Sequence, residues 1–248
     1  MKYLTTQNAK TVKGEDLGYA TAILYLKPGG WRCPNAHNCL KVCLYTAGRG
    51  AFSNVRKARE RKTEAFENDP MAFVDQLVLD IAEHSHNSVV AGLIPVVRLN
   101  GTSDIPWHRI PSSDGKTVMD HFPGITFYDY TKVFTRLEDE LPPNYHLTFS
   151  RDETTPTEFI RHTLRRKVNV SVVFDRRPDQ WCGWPVINGD EHDLRFLDPE
   201  GVIVGLTAKG RAKQDKTGFV VRPRVPLDDK AEAELKIASL LRRSLSRQ

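Results

Sequence analysis

Three cysteines, Cys33, Cys39 and Cys43, fall within eleven residues in the spacing C-x5-C-x3-C, with His37 inside the first gap. Thiolates are soft ligands, and three of them on one short loop suit zinc or an iron–sulfur cluster. A structural zinc needs a fourth ligand, which His37 or the distant Cys182 would supply. A [4Fe–4S] cluster held by three cysteines would instead keep one iron open for a substrate or cofactor. Either group would contribute on the order of 10 kcal/mol of coupled folding energy, enough to organise an irregular loop. Directly behind the cluster, residues 45–50 (YTAGRG) form a glycine-bearing turn into a helical pattern. Arg49 and a helix N-terminus there make a seat for an anion such as phosphate.

The second set of chemically capable residues lies at the ends of short apolar runs. The run 93–99 leads into Asn100, Gly101, Thr102, Ser103 and Asp104; the run 125–128 leads into Asp129, Tyr130, Thr131 and Lys132. Residues 145–149 precede Ser150, Arg151, Asp152 and Glu153; residues 168–174 precede Asp175; residues 202–206 precede Thr207. An earlier run, 20–26, ends at Lys27-Pro28-Gly29-Gly30, a strong breaker. Asp152, Glu153 and Asp198 read as turn and capping residues. Asp104 and Asp129 sit in polar sets denser than a turn requires and are read as functional.

These tips must be positioned by strands and helices in alternation. Helical patterns cover 55–66, entered through Ser53 or Asn54, then 71–84, where Val74, Leu77, Val78 and Ile81 make one apolar stripe, and 157–166. Strands alternating with helices predict βα units around a parallel sheet. About six such units are too few for a regular eight-fold barrel, so the expected fold is a TIM-like, incomplete α/β barrel. It would form one domain over residues 1–248, with the Cys-rich loop 31–50 and a basic terminal helix over 228–246; residues 178–199 read as irregular. In such folds ligands collect at the carboxyl ends of the strands.

The chain of 248 residues carries 36 Lys+Arg against 31 Asp+Glu, a net charge of +5, and its hydrophobic and charged fractions of 40% and 27% place it among ordinary globular proteins rather than disordered ones. No apolar stretch is long enough for a transmembrane helix, no secretory signal is visible, and four cysteines make no disulfide framework; a cytoplasmic, reduced protein is expected. The cations are clustered. Residues 56–62 (RKARERK), 161–167 (RHTLRRK), 207–224, and Arg242, Arg243 and Arg247 form four basic runs. Such runs suit a phosphate backbone, and a nucleic acid is the expected partner. No G-x-G-x-x-G or P-loop fingerprint is present.

The order of the Cys cluster, TAGRG, VRLNGTSDIPW, FYDYTK, YHLTFSRDET and LRFLDPEGVIVGLTAKG resembles an uncharacterised family of bacteriophage proteins, over residues 24–210. Two remoter resemblances give chemistry to that likeness. The three-Cys loop after the first strand is similar to radical S-adenosylmethionine barrels, although a Gly-Gly-Glu segment after the second strand is replaced here by Asn100–Asp104. The strand-end aspartates and basic surface are similar to phage guanine transglycosylases, which exchange guanine in DNA for a 7-deazaguanine. Base exchange needs a carboxylate that attacks C1′ and a second acid/base group. Asp104 and Asp129 would fill those roles, with Asp175 as a third candidate. Asn100, Ser103 and Lys132 would bind base or phosphate, Trp107, Tyr128 or Tyr130 would stack on an extruded base, and His146 is a further candidate on its strand. The resemblances thus imply a DNA-modifying base-exchange enzyme with zinc, or an iron–sulfur enzyme using S-adenosylmethionine on a nucleobase. A non-catalytic DNA-binding module stapled by its metal is the third possibility.

Overall fold

The computed structural model describes residues 2–6, 11–43, 45 and 48–223. The basic helix expected over 228–246 lies outside them. The chain builds one nine-stranded sheet around β1 (Leu4–Thr5), β2 (Tyr19–Leu24), β3 (Ile94–Arg98), β4 (Thr126–Thr131), β5 (Tyr145–Ser150), β6 (Val170–Phe174), β7 (Gln180–Trp181), β8 (Trp184–Asn188) and β9 (Ile203–Thr207). The strands lie in the order β1-β2-β3-β4-β5-β6-β9-β8-β7. From β2 through to β8 every pairing is parallel, while β1 and β7 add short antiparallel edges. The sheet is mixed α/β, mostly parallel, and open.

The helices α1 (Thr11–Glu15), α2 (Ser53–Asn68), α3 (Pro70–Val90), α4 (Val118–His121) and α5 (Thr157–Arg165) fill the connections. α3 starts sharply because Asp69 caps it, accepting from the Ala72 N–H at 3.0 Å, with Pro70 at the first helical position. Its predicted stripe is the buried one: Val74, Leu77 and Ile81 are fully covered and Val78 packs beside them. α2 is entered differently from the expectation. Phe52 occupies the N-cap, with no side-chain bond, so neither Ser53 nor Asn54 caps it.

Alternation along the strands sorts the residues into two faces. Val97, Leu99, Phe127, Tyr145 and Leu147 join Phe66 of α2 and Phe73, Leu77 and Ile81 of α3 in the main core. Phe149, Val170, Val172 and Ile203 continue that face against Ile160 and Leu164 of α5. So α2, α3 and α5 all cover the same face. The opposite face carries Val96 and Tyr128 against Leu194, with Tyr19 and Phe196 packed beside them.

The region 178–199, expected to be irregular, contains the β7–β8 hairpin, and β8 lies parallel to β9 outside it. Gly205 of β9 permits this approach: a Cβ there would meet the Val186 side chain at 2.5 Å and that of Arg177 at 2.6 Å. Among the described residues no helix is long and apolar enough to cross a membrane.

Candidate functional site

The carboxyl ends of β2 to β5 are brought together under the Cys-bearing loop. Gly101 sits tight against β2: its N–H donates to the Leu24 carbonyl at 3.0 Å, and a Cβ would meet the Tyr25 ring at 2.6 Å. The cysteine loop then rests on the Asn100–Asp104 turn. The Asp104 N–H donates to the Arg32 carbonyl at 2.7 Å, and Cys33 Sγ lies 3.7 Å from the Thr102 carbonyl oxygen. Asn35 Nδ2 donates to the Lys132 carbonyl at 2.9 Å, beyond β4. Beyond β5, His37 Nδ1 lies 3.2 Å from Asp152 Oδ2, and the backbone N–H and Nδ2 of Asn38 both donate to Glu153 Oε1, at 3.0 and 2.7 Å. Val42 packs with Ala208, Ala212 and Val220 from the segment after β9. The loop is thereby clamped on four sides by the tips of the sheet.

All three thiols are partly buried and reduced. Burial pushes each of them up, Cys39 to about 11. Cys39 feels the charge of Cys43 and Cys33, and Cys33 that of Cys43, so the sulfurs are mutual neighbours. Lys132, itself lowered by burial, is the largest opposing influence on Cys39 and also lowers Cys43. Its Nζ donates to the carbonyl and hydroxyl of Ser150, at 3.2 and 3.0 Å, and to the Arg151 carbonyl at 3.3 Å. Among the described residues no three His, Cys, Asp or Glu side chains converge on one ion position. His37 is turned to Asp152 instead of the thiols, and Cys182 responds to Arg161 and Arg151. As placed, the three thiols with His37 or Cys182 do not make the closed four-ligand zinc set expected from the spacing.

Asp104 and Asp129, expected as the reacting carboxylates at strand tips, are placed differently: Asp104 follows β3, whereas Asp129 lies inside β4, paired with Leu147, and Asp104 raises the pKa of Asp129. Both are engaged. Asp129 is 1% exposed and accepts from the Asn100 N–H at 2.7 Å, Asn100 Nδ2 at 3.2 Å and the Tyr145 hydroxyl at 3.1 Å. Burial pushes its carboxyl up to about 7, against the pull of Arg98 Nε at 4.0 Å and of these donors. Asp104 Oδ1 accepts from Arg136 at 2.6 Å and Oδ2 from the Lys132 N–H at 2.8 Å, while burial raises its pKa. Asp175 stands apart at the end of β6, exposed, with Arg222 at 3.8 Å.

The expected ligand-binding residues divide similarly. Asn100 is a buried hub: its Oδ1 accepts from Ser103 Oγ, the Ile105 N–H and Trp107 Nε1, and its Nδ2 donates to the Ile105 carbonyl and Asp129. Trp107 and Tyr128 are fully buried, Trp107 between Phe66 and Phe73, so neither ring faces a ligand. Arg49 is exposed on the turn before α2. On the second sheet face, Arg98 Nε, Tyr130 Oη, His146 Nε2 and Thr148 Oγ1 are buried atoms without a hydrogen-bond partner.

Local charge patterns were equally divided by the fold. In α2, Arg59 stacks over Tyr25 and Tyr45, and Lys62 donates to the Tyr3 carbonyl, where burial pulls its pKa to about 8. Arg161 and Arg166 are taken up by Glu158 and Glu138, and Lys167 lies 3.4 Å from Glu200. By contrast Arg176, Arg211, Lys213 and Lys216, after β6 and β9, are exposed at the same end as the thiols. Trp31, 56% exposed and two residues before Cys33, was missed by the sequence reading, which sought aromatics at strand tips.

No curated protein and no solved structure matches this chain. The sequence profile of one family, described as gene product 88, matches residues 2–223, a longer span than the motifs alone marked out. With the match running from ahead of β1 to beyond β9, the chain belongs to the gene product 88 family.

Proposed function

We propose that the protein is an iron–sulfur enzyme acting on a nucleobase of DNA. The observation that carries the reading is the three-thiol loop clamped over the carboxyl ends of β2 to β5. Sequential parallel strands with α2, α3 and α5 on one face are the winding of a barrel wall, here left open, and in that winding chemistry belongs at this end. Cys33, Cys39 and Cys43 would hold the cluster, and the position they leave open would take S-adenosylmethionine. When bound, such a group supplies one-electron chemistry. Lys132 partly offsets the upward push of burial on Cys39 and Cys43. Asn35, Asn38 and His37 hold the loop to the sheet.

Base exchange through Asp104 or Asp129 would require a carboxylate to leave the bonds described above, and a nucleophile must reach C1′ directly. Those bonds support the iron–sulfur reading over exchange. Anaerobic reconstitution with iron and sulfide tests it: visible absorbance of an iron–sulfur cluster is expected, lost in Cys33→Ala, Cys39→Ala and Cys43→Ala and retained in Cys182→Ala and His37→Ala. Stoichiometric zinc with incorporation of labelled deazaguanine, abolished by Asp104→Ala, would overturn it in favour of exchange.

A further inference from the structure

The Cys-bearing loop and α2 share a rim that combines open aromatic faces with uncommitted cations. Trp31 is 56% exposed, its ring tilted against Phe66 at 5.8 Å between centroids and with the Arg32 guanidinium carbon 5.8 Å from its centre. Phe52, at the other end of α2, is 58% exposed. Between and beside them Lys41, Arg49, Arg56 and Lys57 are exposed, and none pairs with an acid among the described residues. Two of the acids on α2 are already engaged, Glu60 by Lys27 and Glu67 by Arg32. Glu64, exposed, is the remaining acid of α2, so the helix adds more cations than acids to the rim, beside its aromatic residues.

That combination selects a partner. A duplex presents phosphates and base edges, and its base faces are stacked away. An unpaired strand presents both phosphates and faces, and stacking on aromatic side chains is how proteins hold it. We propose that a single-stranded segment of DNA lies along this rim, with bases on Trp31 and Phe52 and phosphates on Lys41, Arg49, Arg56 and Lys57. Phe52 and Phe66 are separated by about 21 Å along a helix rising 1.5 Å per residue, which about six stacked nucleotides would span. The strand would pass the thiols at Cys33 and Cys43, delivering an already unpaired base. This inference rests on the nucleobase reading above for its biological sense, but its binding surface does not need the metal.

The test is binding of a labelled oligodeoxynucleotide of about twelve nucleotides to the full chain without metal, against its duplex and an RNA of the same sequence. The single DNA strand is expected to bind tightest and to quench Trp31 fluorescence. Trp31→Ala and Phe52→Ala are each expected to weaken it by about 5- to 150-fold at any salt concentration, with Trp31→Phe retaining most of the affinity. Alanine at Arg49 or Arg56 should instead flatten the salt dependence by about one unit of slope per residue. The inference is overturned if the duplex or the RNA binds more tightly, if both aromatic variants bind as the parent does, or if no nucleic acid binds. Strand binding in a protein that takes up no cluster would sustain this surface while removing the iron–sulfur reading.

Discussion

Asp129 is a carboxyl group pulled in two directions, since burial favours its neutral form while Arg98, Asn100 and Tyr145 all favour its charge. Its folded pKa, near 7, stands above the ordinary value of 3.8. Between those values the folded state binds more protons than the unfolded chain, so this group's contribution to stability is complete below the unfolded pKa and is lost as pH rises through the folded one. Denaturant melts across pH 4–7 should therefore show a decline in stability that Asp129→Asn lessens, the part due to Asp198, raised to about 6 by burial, remaining. Asp104 makes a different prediction. Its pair with Arg136 is buried on both sides, so Arg136→Met strands a carboxylate and should cost about 3–5 kcal/mol, whereas removing both partners in Asp104→Leu/Arg136→Met should cost much less. A double-mutant cycle by urea denaturation measures the difference. Gly101 is a third case: Gly101→Val would drive a side chain into the Tyr25 ring and should destabilise by about 1–3 kcal/mol in the same assay.

The elements explain why some of this was legible beforehand. β2, β3, β4, β5, β6 and β9 were each announced by an apolar run broken by polar residues, because buried parallel strands need hydrocarbon on both faces. The β7–β8 hairpin was not, since β8 alternates exposed and half-covered residues and contains Pro185. The end of β4 was placed three residues early, since Asp129, Tyr130 and Thr131 continue the strand, and the partners of the polar side chains were not foreseen. Nothing in the string Asn100–Asp104 says that Asn100 bonds Trp107 and Asp129 instead of a ligand; that depends on β4 arriving alongside. The thiols were visible from spacing, while their clamp joins residues more than a hundred positions apart. Glu153→Ala removes the acceptor for both Asn38 donors. It should speed hydrogen exchange of residues 33–43 with little change in global stability, because the contact is peripheral to the main core.

Across the whole molecule, apolar packing is concentrated on one side of the strand order. β2, β3, β4 and β5 share the large core with α2 and α3, whereas β8 and β7 contribute only partly buried residues at the far edge. Native-state hydrogen exchange should accordingly find β2 to β5 opening last and the β7–β8 hairpin first. The strand order carries one more consequence. β8 precedes β9 in the chain but lies outside it, with β9 between β8 and β6. During synthesis the ribosome releases β8 before the ribbon it must lean on exists. That hairpin has to wait, undocked, until the later segment slots into place, so the emergence of β9 decides when the sheet's far margin is sealed.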